Sequence, residues 1–173
     1  MNRRSALLLG AGALAFVLTG CASMQRNKLA DDLRNALAGS PVTVTQPDDS
    51  IVMTSSADYM FSSGGWQIPS DAPVLNRIAP ILSKLQNTKI IVRGYTDNTP
   101  IGPNLQRIGI ADNLDLSSKR AASVVSYLAS HGVNPSLLSA QGMGDRNPIV
   151  SNDTLQGQAR NRRVDIVLTG DGT

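Results

Sequence analysis

The chain has 173 residues, enough for one domain with a real core and too few for two comfortable ones. Its charged fraction of 17% is below the usual quarter, and Arg3 and Arg4 fall in a segment expected to be removed, which takes the basic count from 16 to 14 against 13 acidic residues. A near-neutral chain speaks against a nucleic-acid binder, which needs a basic patch or stripe.

At the N-terminus, Arg3-Arg4 forms a short positive region and Ala6 to Leu18 an apolar core studded with small residues. That core is short for a transmembrane helix and has the layout of a signal peptide, which predicts removal of residues 1–20. It ends at Leu18-Thr19-Gly20-Cys21, which resembles the bacterial lipobox, and Cys21 is the only cysteine of the chain. The resemblance implies lipidation at Cys21, and Ala22, in place of an inner-membrane-retaining Asp, implies the outer membrane. The fold can contain no internal disulfide.

Ser23 to Leu37 is a polar helical candidate with Leu29, Leu33 and Leu37 at four-residue spacing, ended by Gly39-Ser40-Pro41. It reads as a spacer or a small packing element, which divides the mature chain into a lipidated spacer with a short helix over 21–48, a domain over 49–170 and a tail over 171–173. Val42 to Thr45 alternates as a short strand, Pro47-Asp48-Asp49 is a turn, and Ser50 to Thr54 is the first core strand, with Ile51 and Met53 on one face. Ala57 to Pro69 is broken by Gly64-Gly65 and predicts a hairpin or an irregular loop, with Trp66 packed over a core edge. Ser70-Asp71 is expected to cap a helix running to about Gln86, with the stripe Leu75, Ile78, Leu82 and Leu85, and Pro80 is expected to kink it or move its start.

Lys89 to Gly94, with its β-branched run Ile90-Ile91-Val92 continuous and not alternating, predicts an interior strand covered on both faces. Ser117 is expected to cap a second helix with Ala121, Val124, Val125 and Leu128 on its apolar face, closed by His131-Gly132. Asn134-Pro135-Ser136 starts a turn of helix, Leu138 to Gln141 is a short strand, Gly142 to Pro148 a loop, Thr154 to Asn161 a third helix, and Arg163 to Thr169 the last strand. Helices alternating with strands predict an α/β fold with helices layered on a sheet.

Catalytic signatures are scarce. There is no Gly-x-Ser-x-Gly elbow, no P-loop and no zinc spacing, and the only histidine abuts a helix terminator. Paired carboxylates for glycoside cleavage need one acid with a raised pKa, and an arginine beside Asp97 would lower it instead. The sequence therefore predicts neither an enzyme nor a metal or cofactor site, with a cell-wall hydrolase as a disfavoured alternative.

The stretch from Ile90 to Ala121 sets the functional question. It places Asp97 at a strand's end and Arg120 in a helix's first turns, across one loop. The pair either salt-bridges to itself or clamps a ligand carrying both an ammonium and a carboxylate.

Four ordered blocks bear on the choice: Gly94-Tyr95-Thr96-Asp97, Asn113-x-x-Leu116-Ser117-x-x-Arg120-Ala121, Gly142-Met143-Gly144-Asp145-x-Asn147-Pro148, and Asn161-Arg162-Arg163-Val164. Together they resemble the OmpA-like C-terminal domain, a family that includes OmpA, Pal and MotB, over roughly Ile51 to Leu168. The resemblance implies a βαβαβ-type two-layer sandwich with helices packed on a mixed sheet. It also implies non-covalent binding of peptidoglycan through the diaminopimelate of the stem peptide. In that reading Asp97 accepts from the ammonium and Arg120 holds the carboxylate, while Thr96, Asn113, Leu116 and Arg163 line or support the pocket. Arg162 reads as a solvated helix end. The chain departs from the family in its longer loop from Asn98 to Asp112, which looks more like the MotB branch, and in Tyr95 where His is usual. The implied role is an outer-membrane lipoprotein that tethers the membrane to the wall, its domain in the periplasm. The alternative is an accessory lipoprotein of an envelope-spanning machine.

Overall fold

The computed structural model describes residues 13–62 and 64–173, with side chains from residue 22 onward. Most of the expected leader and the Cys21 side chain lie outside the described residues. Helix α1 (Ala13–Ala36) turns Leu29, Ala30 and Leu33 into the core, joined by Leu37 just beyond its end. Four-residue spacing keeps the leucines on one stripe, and Lys28–Asp32 at 2.9 Å ties the opposite face. The segment therefore packs against the domain. Among the described residues no helix is long and apolar enough to cross a membrane.

Strands β1 (Thr43–Thr45) and β2 (Ser50–Ser56) form an antiparallel pair around the turn at Asp48. Of the hairpin or irregular loop expected over 57–69, the described residues show the loop, preceded by a turn of helix. Ser56 accepts the Asp58 N–H at 3.2 Å and caps this single helical turn, α2 (Ala57–Met60), which delivers Met60 and Phe61 to the core. Helix α3 (Pro73–Leu82) is preceded by Ala72, which makes no side-chain cap, so the cap expected from Ser70-Asp71 does not form. Pro73 at its start has no N–H to satisfy and a φ already suited to a helix. Pro80 lies inside, and the helix ends two residues later, short of the expected Gln86.

Strand β3 (Lys89–Gly94) is followed by the short α4 (Pro103–Arg107), α5 (Asn113–Ser130), a 3₁₀ turn at Pro135–Leu137, β4 (Leu138–Gly142), α6 (Leu155–Asn161) and β5 (Arg163–Thr169). Among the described residues five strands make one mixed sheet in the order β1-β2-β5-β3-β4, with only β3 and β4 parallel. The last strand in sequence thus lies between β2 and β3. The α/β sandwich expected from the sequence is the fold observed.

Two local expectations need correction. β3 is interior in the sheet but covered on one face only: Ile90, Val92 and Gly94 are buried while Ile91 and Arg93 are partly exposed. Its continuous apolar text arises because Ile91 registers beside Val167, itself opposite Val52, making a short apolar row on the open face. Ser117 is not a cap. The side chain of Asp112 accepts the Asp115 N–H at 2.8 Å and starts α5, leaving Ser117 inside the helix and fully buried.

Glycine lets α5 descend onto the ends of β3 and β4. A Cβ at Gly94 would lie 2.3 Å from the Ser117 carbonyl oxygen, and one at Gly142 would lie 2.8 Å from the Leu114 carbonyl oxygen. These two glycines are register partners in the parallel pair, so one close approach serves both strands. The first turns of α5 are thereby held over the C-terminal ends of two parallel strands, where ligands sit in open α/β sheets.

Candidate functional site

Backbone and side-chain bonds stitch the four sequence blocks into one corner of the fold. Tyr95 N–H donates to the Arg163 carbonyl at 2.9 Å, Thr96 N–H to Gly144 O at 2.8 Å, and Met143 N–H to Gly94 O at 2.9 Å. The Ser117 hydroxyl accepts the Gly144 N–H at 2.9 Å and donates to Leu114 O at 2.9 Å. Much of the motif is therefore scaffold.

A cleft of about 390 Å³ opens at this corner. Asp58, Thr96, Asp97, Leu116, Arg120 and Arg162 line it. The longer loop after Asp97 contributes Thr99, Pro100, Ile101, Gly102 and Leu105 to the same lining. Asn113 also lines it, but its amide donates to the carbonyls of Asp97 at 3.3 Å and Thr99 at 2.9 Å, so it fastens that loop to the start of α5.

Asp97 and Arg120 do not pair with each other. Asp97, 7% exposed, accepts from Arg162 Nη1 at 2.7 Å and from the Thr99 N–H at 2.9 Å. Arg120, 3% exposed, donates Nε to the Gly65 carbonyl at 2.9 Å and lies 5.5 Å from the centroid of the Phe61 ring. Its Nη1 is buried without a hydrogen-bond partner, as is Thr96 Oγ1. Among the described residues no carboxylate lies within salt-bridge distance of Arg120. Burial pushes the Arg120 pKa below its ordinary value, with Asp58 pulling it up, Arg162 lowering it further and Asp97 raising it. A buried guanidinium with an unused donor is costly to leave so, and a carboxylate arriving in the cleft would satisfy it.

Arg162 is the residue the sequence reading missed. It grips Asp58 with Nη2 at 2.7 Å and Nε at 3.2 Å while Nη1 holds Asp97. These bonds, that to Asp58 foremost, raise its pKa above the ordinary guanidinium value. Arg162 caps the C-terminus of α6 just before β5 begins at Arg163, so no helix or strand period pointed it into the site. Asp58 carried no signal either, since it reaches the site across 104 residues of chain.

Arg163, expected to line or support the pocket, stands outside the cleft. It is buried with its guanidinium carbon 3.6 Å from the centroid of Tyr95, bonded to Asp165 at 3.3 Å and to the carbonyl of Asn147 at 3.2 Å. It braces Tyr95, and through it the strand end that carries Thr96 and Asp97. Leu116, Thr96, Asp97, Asn113 and Arg120 do come together. Among the described residues no cluster of His, Cys and Asp is placed to hold a metal. His131 stacks on Tyr127 at 4.0 Å, at the far end of α5.

The cleft contains two anions, Asp58 and Asp97, and two cations, Arg120 and Arg162. Such a site is neutral overall and locally dipolar. It suits a ligand that carries a cation and an anion close together.

Residues 60–162 match the OmpA family, and the chain belongs to that family. It is 38% identical over 138 residues to the probable lipoprotein YiaD of Escherichia coli, covering 79% of this chain and 59% of that protein. It is 41% identical over 107 residues to the peptidoglycan-binding protein ArfA of Mycobacterium tuberculosis, covering 62% of this chain and 30% of ArfA. Among solved structures, the cell wall anchor of the T6SS from Pseudomonas aeruginosa superposes with a TM-score of 0.72 at 32% identity, covering 84% of this chain and 99% of that one. The chain thus spans between about a third and three-fifths of the length of these two curated relatives.

Proposed function

We propose that this member of the OmpA family is an outer-membrane lipoprotein, acylated at Cys21, whose domain binds peptidoglycan non-covalently and so tethers the membrane to the wall. The ligand is the diaminopimelate of the stem peptide. Its carboxylate meets Arg120, and its ammonium meets Asp97, which retains lone pairs beyond those used by Arg162 and Thr99. The observation that carries the reading is the buried, unpartnered Nη1 of Arg120 beside a buried Asp97 that is not its partner. A self-contained ion pair would have left no such donor.

The kinship with ArfA, named for peptidoglycan binding, and with YiaD, named as a probable lipoprotein, supports the two halves of the proposal. In it residues 1–20 are removed, 21–48 lead from the anchor, and 49–170 form the binding domain. Each charge-assisted bond in the cleft is worth about 1.5–3 kcal/mol, and exposed pairs far less, so binding rests on the enclosed Arg120. A second reading, a subunit that anchors an envelope-spanning machine, draws support from the likeness to the T6SS wall anchor over nearly all of that chain. It uses the same cleft and adds a protein partner.

The test is retention of the purified domain on insoluble peptidoglycan. Wild type is expected to co-sediment, and Asp97→Ala and Arg120→Ala to stay in solution. Undiminished retention of both variants would remove the cleft from the account. For the anchor, Cys21→Ser should move the protein out of the membrane fraction.

A further inference from the structure

The cleft does not end at Arg120. Gly64, Gly102 and Leu105 are shared with a neighbouring hollow of about 720 Å³. That hollow shares Trp66, Gln67 and Ile108 with another of about 600 Å³ along the outer side of α5. Together they form one continuous groove that begins at the charged cleft. Its far wall is a helical stripe, Lys119, Ser123, Ser126, Tyr127 and Ser130, roughly 16 Å long at 1.5 Å rise per residue.

The lining changes character along the way. The cleft holds two carboxylates, whereas neither outer hollow is lined by an acidic residue. In their place stand the partly buried Trp66, Ile108 at 62% exposure, Gln67, three serines and a single cation, Lys119. An aromatic ring beside apolar surface, edged mostly by neutral hydrogen-bonding groups, matches a pyranose. The axial C–H groups of a sugar ring present positive hydrogens to the negative π-face, while its equatorial hydroxyls and N-acetyl group reach the polar edge. The groove walls are a helix face and loop side chains, with no free strand edge to pair with an extended peptide.

Resting on the stem-peptide reading of the cleft, we propose that this groove takes the glycan attached to that peptide, with an N-acetylated amino sugar stacked on Trp66. The protein then reads a peptide and its sugar together, in one continuous site.

Calorimetric titration of the purified chain with two ligands tests this: the diaminopimelate-containing stem peptide alone, and the same peptide carrying its disaccharide. The disaccharide-peptide should bind about tenfold more tightly, an increment typical of one good aromatic contact. Trp66→Ala should abolish that increment and leave the affinity for the bare peptide unchanged. Because Trp66 is the only tryptophan, its fluorescence should shift with the sugar-bearing ligand and not with the bare peptide. Equal affinities for the two ligands, or an increment that survives Trp66→Ala, would overturn the glycan groove while leaving the cleft intact. Failure of both ligands to bind would overturn the cleft and the groove together. Fluorescence that follows protein concentration instead of sugar would assign the groove to a second copy of the chain, and refute the proposal.

Discussion

Replacing Arg120 and Arg163 in turn by Met separates an arginine kept for a ligand from one kept for the fold. Both are buried, at 3% and 5% exposure, so burial alone predicts similar outcomes. Their partners differ. Removing Arg120 strands no carboxylate, because Asp97 retains Arg162 at 2.7 Å and the Thr99 N–H at 2.9 Å. It also eliminates a desolvated charge with an unused donor. Replacing buried charge by an apolar side chain is often neutral or stabilising by about 1–4 kcal/mol, whereas breaking a buried pair costs about 3–5 kcal/mol. Arg163→Met belongs to the second case: Asp165 loses its cation at 3.3 Å, the Asn147 carbonyl its donor at 3.2 Å, and Tyr95 the guanidinium over its face. At about 2–4 °C per kcal/mol for a chain of this size, Arg163→Met should melt about 10 °C below wild type. Arg120→Met should melt at or above wild type, yet lose affinity for stem peptide by about a hundredfold or more, the worth of one to two charge-assisted bonds. Thermal denaturation followed by circular dichroism, paired with calorimetric titration, reads both properties. If Arg120→Met melts far below wild type and Arg163→Met does not, the division of roles is wrong.

Further outcomes follow from the same geometry. Gly94→Ala places a methyl 2.3 Å from the Ser117 carbonyl oxygen; α5 must lift, and denaturant titration should show a loss of about 1–3 kcal/mol or more. Ser117→Ala leaves the buried Gly144 N–H without its acceptor, which should cost about 1–3 kcal/mol in the same assay. A stem peptide with lysine in place of diaminopimelate lacks the carboxylate that Arg120 awaits, and should bind at least about tenfold more weakly by calorimetry.

The architecture was readable because β2 and β5 kept their period: Ile51 with Met53, and Val164 with Ile166 and Leu168, pointed to the core as their alternation required. The misread caps share a cause. Ser70, Asp71 and Ser117 have the chemistry of caps, but Pro73 starts its helix with no N–H to satisfy, and Asp112 lies at the start of α5 ahead of Ser117. Side-chain type alone cannot choose among neighbouring candidates for one backbone N–H. In the site, the local pair Asp97 and Arg120 was legible because both lie in one strand–loop–helix passage. Asp58 was not, since only the pairing of β2 with β5 brings it beside Arg162. Arg162, read as a solvated helix end, lies at the turn between α6 and β5, where no strand period says which way its side chain points. Family resemblance identified the corner of the fold, and the hydrogen bonds divided that corner between support and open donors.

The central claim is that Nη1 of Arg120 is held without a partner for a carboxylate. A structure of the domain with the diaminopimelate-containing stem peptide tests it most directly. The account predicts a ligand carboxylate about 2.7–2.9 Å from Arg120 Nη1, with the adjacent ammonium against Asp97. Peptide bound elsewhere, or bound in the cleft with Nη1 of Arg120 still lacking an acceptor, would contradict it.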